Sequence, residues 1–252
     1  MKHFVKKYWK TLLFFVLMGL VGGFCVGLFS LESYPAEVRQ EILAQGVTPM
    51  LLAIVSAVQA AGYGLVLGAA GILMAKKVGL WSDETSFNKK PMAAAGIVAV
   101  ISGLAMIGLD IFFFGKFSQP IRDSYLTKPS AAFVLGSVTY GAVIEEVMLR
   151  LFMMTLIALV LHIIFERGRE KTSAWVLVVA NLISALLFAA GHLPATAIVL
   201  GLSPMILVRC FLINGGIGLM FGWLYRKYGL HYAMAAHGGC HIVSKAIWIM
   251  FM

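Results

Sequence analysis

Long apolar runs alternate with short polar loops along the whole chain. At about 1.5 Å of rise per residue, a helix needs roughly 20 apolar residues to cross the hydrocarbon core of a bilayer. Seven runs reach that length, at about 11–31, 48–75, 91–115, 130–165, 173–201, 204–225 and 230–251. The pattern predicts an all-α, polytopic transmembrane helix bundle. The fifth run contains Pro194, whose ring clashes with the preceding turn and which offers no backbone donor. It predicts a kink, or a split into a span and a short re-entrant turn, and so seven to eight membrane helices. Between the first two runs, Pro35 to Gln45 is closed by Gly46 and sets Val38 and Ile42 four apart, the pattern of a short helix lying on the membrane surface.

Composition sharpens this picture. The 252 residues are 61% hydrophobic and 12% charged, against about one-quarter charged in soluble domains. With no internal repeat, low-complexity tract or long polar loop, residues 1–252 read as a single integral membrane domain, with the chemistry-bearing core at about 130–252. The net charge of +9 does not indicate nucleic acid, because the basic residues lie between apolar runs and form no basic-aromatic surface. They report topology instead. Thirteen of the 20 Lys and Arg fall in the N-terminal tail and the loops 76–90, 166–172 and 226–229, whereas Arg39, Lys116, Arg122 and Lys128 fall on the other side. This asymmetry predicts a cytoplasmic N-terminus.

The first run follows a basic tail as a secretory signal does, but it is longer than an h-region and lacks a small-x-small site. Phe24 before Cys25 also departs from a lipoprotein signal. It reads as a retained signal anchor. Cys25, Cys210 and Cys240 lie in apolar runs and are expected to be core thiols. Trp9, Trp223, Tyr225, Tyr228 and Trp248 lie near run ends, where interfacial anchors are expected.

Charge inside a span costs roughly 2.5–3.5 kcal/mol per residue on insertion scales, so such residues are candidates for function. Here they are grouped. The fourth run contains Glu145-Glu146-Val-Met-Leu-Arg150, the fifth ends Phe188-Ala-Ala-Gly-His192, and the seventh contains His237-Gly-Gly-Cys-His241. On an α-helix, residues four apart share a face and neighbours diverge by about 100°. Glu146 and Arg150 are therefore expected to pair, with Glu145 turned away from them toward a polar cavity as a candidate base. Phe188 and His192 share a face, as do His237 and His241, which suit either an oxyanion or a metal. Straight spans would set His192 and His237 at different depths, and the two meet only if the fifth helix continues past Pro194. Arg209 and Lys245 lie within a few turns of run ends and are expected to snorkel toward the interface.

These residues resemble the CAAX prenyl endopeptidase and bacteriocin-processing (CPBP/Abi) family of intramembrane proteases. Its Glu-Glu-x-x-x-Arg and Phe-x-x-x-His motifs are matched, in order, by Glu145-Glu146-x-x-x-Arg150 and Phe188-x-x-x-His192. Its His-x-x-x-Asn motif is matched at His237, with His241 where the family usually has asparagine. The resemblance implies a glutamate-dependent endopeptidase without a cofactor, in which Glu145 and His192 activate water. His237, helped by His241, then stabilises the oxyanion, while Glu146 and Arg150 support the helix. It implies peptide or protein substrates at the lipid bilayer, prenylated or bacteriocin-like, and a bacterial plasma membrane as the location.

Three other readings compete. A zinc ion held by Glu145, His192, His237 and His241 would make a metalloprotease, although His-Glu-x-x-His is missing. A catalytically silent scaffold would keep the fold without the chemistry. A proton-coupled transporter also wants buried Glu and His, but no repeated halves appear. Serine and aspartyl intramembrane proteases fit worse, since Gly-x-Ser-Gly is missing and Asp110 stands without a second aspartate.

Overall fold

The computed structural model describes residues 2–83 and 87–251; positions 84–86, inside the basic loop 76–90, lie outside the described residues. In chain order the helices are α1 (Lys2–Ser33), α2 (Ala36–Ala44), α3 (Pro49–Lys77), α4 (Lys89–Phe112), α5 (Gln119–Ser124), α6 (Ala131–Phe165), α7 (Ala174–Gly191), α8 (Leu193–Leu200), α9 (Pro204–Tyr228) and α10 (Leu230–Met250). No strand occurs among the described residues. The protein is a polytopic helical bundle.

Among the described residues, six helices are long and apolar enough to cross a membrane: α1, α3, α4, α6, α7 with α8, and α9. The seventh expected span, α10, is 21 residues long, but His231, His237, His241 and Lys245 lower its apolarity, and much of it is buried against other helices. At Pro194 the chain splits: α7 ends at Gly191 and α8 opens with Pro194 in its first turn. The predicted surface helix is present as α2, with Val38 and Ile42 half-buried and Gly46 beyond its end.

Packing among the apolar helices relies on small residues, because lipid tails are as apolar as side chains and only close backbone approach adds contact. Gly19, Gly23 and Gly27 line the face of α1 against Ala60, Ser56 and Ala53 of α3; a Cβ at Gly19 would stand 2.6 Å from the Ala60 carbonyl oxygen. The neighbouring Gly22 does the same toward α6, where a Cβ would meet the backbone of Tyr140 at 2.5 Å. Polar side chains bond across the remaining seams. Ser184 Oγ donates to the Leu149 carbonyl at 2.6 Å and Asn181 Nδ2 to the Leu219 carbonyl at 3.0 Å.

The ends of the bundle are fastened by charge. Asp83, between α3 and α4, accepts from Lys7 Nζ at 2.6 Å, Tyr8 Oη at 2.5 Å and Lys76 Nζ at 3.3 Å. Glu166 joins the end of α6 to the start of α7, accepting from Ser173 N at 3.1 Å and from the Ser173 hydroxyl. Those Ser173 bonds hold its carboxyl below the usual range. At the opposite end, Arg209 does not snorkel. It forms a two-pronged pair with the buried Asp110, Nε–Oδ1 2.6 Å and Nη2–Oδ2 2.5 Å, and Tyr125 donates to the same carboxylate at 2.9 Å. A guanidinium fork matched to a carboxylate outcompetes exposure at the interface.

Two of the expected anchors are taken up by packing, Tyr225 buried and Trp248 half-buried. Tyr225 is buried and hydrogen-bonded to Thr155 at 2.9 Å, and Trp248 packs on Tyr125 with ring centroids 4.8 Å apart. Cys25, Cys210 and Cys240 are free and buried.

Candidate active site

The middle of α6, Ser137–Glu145 and Val147–Met154, is wound as a π-helix, with bonds from i to i+5 and a wider turn than an α-helix. The angular step per residue shrinks, and adjacent side chains diverge less. Glu146 pairs with Arg150, Oε1–Nη1 3.0 Å, both fully buried. Glu145 makes no ion pair with Arg150, as expected, but its Oε2 stands 3.9 Å from His237 Nε2, while Nδ1 of the same ring lies 2.8 Å from Glu146 Oε1. One imidazole therefore faces both carboxylates, bonded to Glu146 through one nitrogen and set opposite Glu145 through the other.

Hydrogen positions follow from the partners. The Glu146 carboxylate, paired with a guanidinium, can only accept, so His237 carries a proton on Nδ1. Phe221 of α9 stacks on His237 at 4.5 Å and 25°, and Arg150 lies 4.5 Å over the Phe188 ring and donates from Nη2 to the Gly218 carbonyl at 3.0 Å. The left-handed turn at Gly229, φ +110°, which L side chains resist, folds α10 back along α9 and so brings Phe221 and His237 together.

His192 caps α7. Its Nδ1 lies 2.8 Å from the Phe188 carbonyl, an acceptor, so Nδ1 carries the proton and Nε2 presents a lone pair. The bond folds the imidazole back along α7, and the helix resumes through Pro194 as α8, so the fifth span does continue past Pro194 as expected. Phe188 completes the junction: its ring meets His192 edge-on at 4.7 Å and His237 edge-on at 6.1 Å. His192 and Glu145 form no direct ion pair, so the water-activating couple read from the motifs is not a contact pair.

His241 lies one turn beyond His237, ring centroids 4.9 Å apart. A Cβ placed on Gly141 would stand 3.0 Å from His241 Nε2 and 3.8 Å from His237 Nε2. Both outer nitrogens therefore converge on bare backbone four residues before Glu145. Lys245, expected at the interface, is buried with Nζ 3.2 Å from His241 Nδ1 and 4.6 Å over the Phe133 ring. The spacing of Lys245, four residues after His241, was a signal for its place here; nothing in the sequence pointed to Gly141 or Phe221. Zinc would need a ligand cage, and among the described residues no group of three or more His, Cys, Asp or Glu is arranged to hold a metal ion.

Helices α6, α7 and α10 thus bring glutamate, histidine and arginine to one buried point in a multi-pass membrane protein. The family model described as type II CAAX prenyl endopeptidase Rce1-like matches residues 127–243. That segment, just under half of the chain, is similar to the Rce1-like family, in agreement with the motif resemblance, and holds every member of the cluster except Lys245. No curated protein and no solved structure matches the chain.

Proposed function

We propose that the protein is an intramembrane endopeptidase that cleaves membrane-associated, CAAX-type peptides with a glutamate-activated water. The observation that carries this reading is the position of His237 between Glu146 and Glu145. The 3.9 Å from His237 Nε2 to Glu145 Oε2 is too long for a hydrogen bond, yet one water can reach both.

In this reading Glu145 is the general base. The water oxygen bonds to the substrate carbonyl carbon, one water proton moves to Glu145, and the carbonyl oxygen becomes an oxyanion. Collapse of that intermediate breaks the C–N bond, and Glu145 passes its proton to the leaving nitrogen. His237, with Nδ1–H given to Glu146, orients the water through Nε2. The Nε2 lone pair of His192 adds a second acceptor on the water side. The donor role toward the oxyanion falls to His241, beside Gly141. Glu146 and Arg150 are positioning residues that fix the His237 ring.

The basic end of the bundle is assigned to the cytoplasm of a bacterial cell, which topology reporters fused at either terminus test. The activity is tested with purified protein in liposomes, using prenylated and unprenylated fluorogenic peptides, with and without a chelator. Cleavage is expected to survive chelation and to fall by about 10²–10⁴-fold in Glu145→Gln, the range for loss of a general base. Chelator-sensitive cleavage would move the histidines into metal ligation. Equal activity of the variant and the wild type would remove Glu145 from the chemistry.

A further inference from the structure

Lys245 lies one helical turn beyond His241, buried and on the same face. A lysine in that position could have reached the interface along its own stem. Instead its Nζ turns inward, 3.2 Å from His241 Nδ1, and rests 4.6 Å above the ring of Phe133. The face of an aromatic ring carries negative potential and favours a cation, so this is the seat of an ammonium group. An ammonium has three hydrogens to donate and no lone pair to accept. The Nδ1 of His241 must then be the acceptor, and a neutral imidazole accepting at Nδ1 carries its only proton on Nε2.

That second nitrogen faces the chemistry. His241 Nε2 is the atom nearest to where a Cβ on Gly141 would lie, at 3.0 Å, with His237 Nε2 also close at 3.8 Å. Gly141 in turn precedes Glu145 by four residues on α6. A proton fixed on His241 Nε2 is therefore a proton aimed at the place where the substrate carbonyl meets the activated water. If Nδ1 carried the proton, the same ring would present a lone pair there and repel an oxyanion.

We propose that Lys245 is a positioning residue for the reaction: by donating to His241 Nδ1 it locks His241 in the Nε2–H tautomer and makes it a neutral hydrogen-bond donor to the oxyanion. This rests on the endopeptidase reading above. It also gives a physical account of histidine at the position where related proteins usually have asparagine. A carboxamide offers N–H donors without any choice of tautomer, whereas a histidine needs a neighbour to make that choice, and the neighbour is supplied four residues on.

The test joins kinetics to a spectroscopic readout that does not depend on activity. In protein labelled with 15N-histidine, the imidazole resonances that vanish in His241→Asn are those of His241; they are expected to show an unprotonated Nδ1 and a protonated Nε2. In Lys245→Met that pattern is expected to be lost, while Lys245→Arg retains it. With prenylated peptide, Lys245→Met is expected to lower kcat by about 10- to 100-fold, below the range for losing an oxyanion donor outright, with KM changed less than about twofold. In the His241→Asn background the same lysine substitution should cost less than about threefold, since no tautomer remains to be set.

A wild-type spectrum with the proton on Nδ1 would overturn the proposal, whatever the variants do. So would an equal penalty for Lys245→Met in the wild-type and His241→Asn backgrounds, which would mean that the lysine serves only packing. If wild-type protein cleaves no peptide, the endopeptidase reading falls, and the tautomer spectra still decide whether Lys245 sets His241.

Discussion

Nδ1 of His237 lies 2.8 Å from Oε1 of Glu146, across 91 residues of chain, and the same oxygen pairs with Arg150 at 3.0 Å. Both partners are buried, so the bond joins the chemistry of α10 to the stability of α6.

That link separates the two adjacent glutamates by experiment. Glu146→Gln leaves Arg150 as an uncompensated charge, and breaking a buried pair typically costs about 3–5 kcal/mol. Glu145, whose side chain is 21% exposed, has no such role, and Glu145→Gln is expected to change stability by less than about 1 kcal/mol. Unfolding titrations in detergent micelles compare them. Similar losses in both variants would show that Glu145 is as structural as its neighbour.

Gly141 offers a test of the site's dimensions. A methyl group there would stand 3.0 Å from His241 Nε2, so the imidazole must shift by some tenths of an ångström. Small misplacements of reacting groups are costly, and Gly141→Ala is expected to lower kcat about 10- to 100-fold. Gly96, whose Cβ would meet nothing within 4 Å, is the control, and Gly96→Ala should be silent. Full activity of Gly141→Ala would place the reacting carbonyl elsewhere.

The Asp110–Arg209 pair predicts a stability defect at residues that take no part in the proposed chemistry. Asp110→Asn should destabilise by about 3 kcal/mol, as for other broken buried pairs. Arg209→Lys keeps the charge and loses the fork, so it should fall between the wild type and Asp110→Asn. Thermal unfolding followed by tryptophan fluorescence orders the three proteins. A lysine variant as stable as the wild type would mean that the two-pronged geometry contributes nothing.

Asp83 gives a pH dependence with a definite sign. Its bonds from Lys7 first, and then from Tyr8 and Lys76, hold its carboxyl well below its ordinary 3.8. A carboxyl whose folded value is lowered stabilises fully above its unfolded value and loses that contribution as pH falls through the folded one. The Tm difference between wild type and Asp83→Asn should therefore be constant from neutral pH down to about 5 and shrink below 3.8. The group is solvent-accessible, so added salt should reduce the difference at every pH. A gap that widens in acid would contradict the assignment.

The bundle was legible in the sequence because a bilayer tolerates so few solutions: runs near 20 apolar residues must be helices, and Pro194 had to break one. The Glu146–Arg150 pair was legible because it is local. What the sequence could not disclose depends on distant partners or on unusual winding. Arg209 finds Asp110 across 99 residues, Tyr225 finds Thr155 across 70, and nothing in either neighbourhood names the other. The π-wound stretch of α6 could not be foreseen from α-helical angles, and with it the approach of one ring, His237, to both glutamates. For α10 the same polar residues that marked it as functional made it the weakest span by composition.

Gly22 of α1 lies against the backbone of Tyr140, the residue before Gly141. The amino-terminal helix, which lies outside the segment shared with the Rce1-like family, is thus the outer wall of the wide helix that carries both glutamates. A larger side chain at position 22 would press on Tyr140 and, through it, on the spot where His237 and His241 converge. The proposed chemistry is concentrated in the second half of the chain, but its alignment is shared with the first. An α1 built of ordinary bulky leucines would insert equally well in lipid and still spoil the aim of the glutamates.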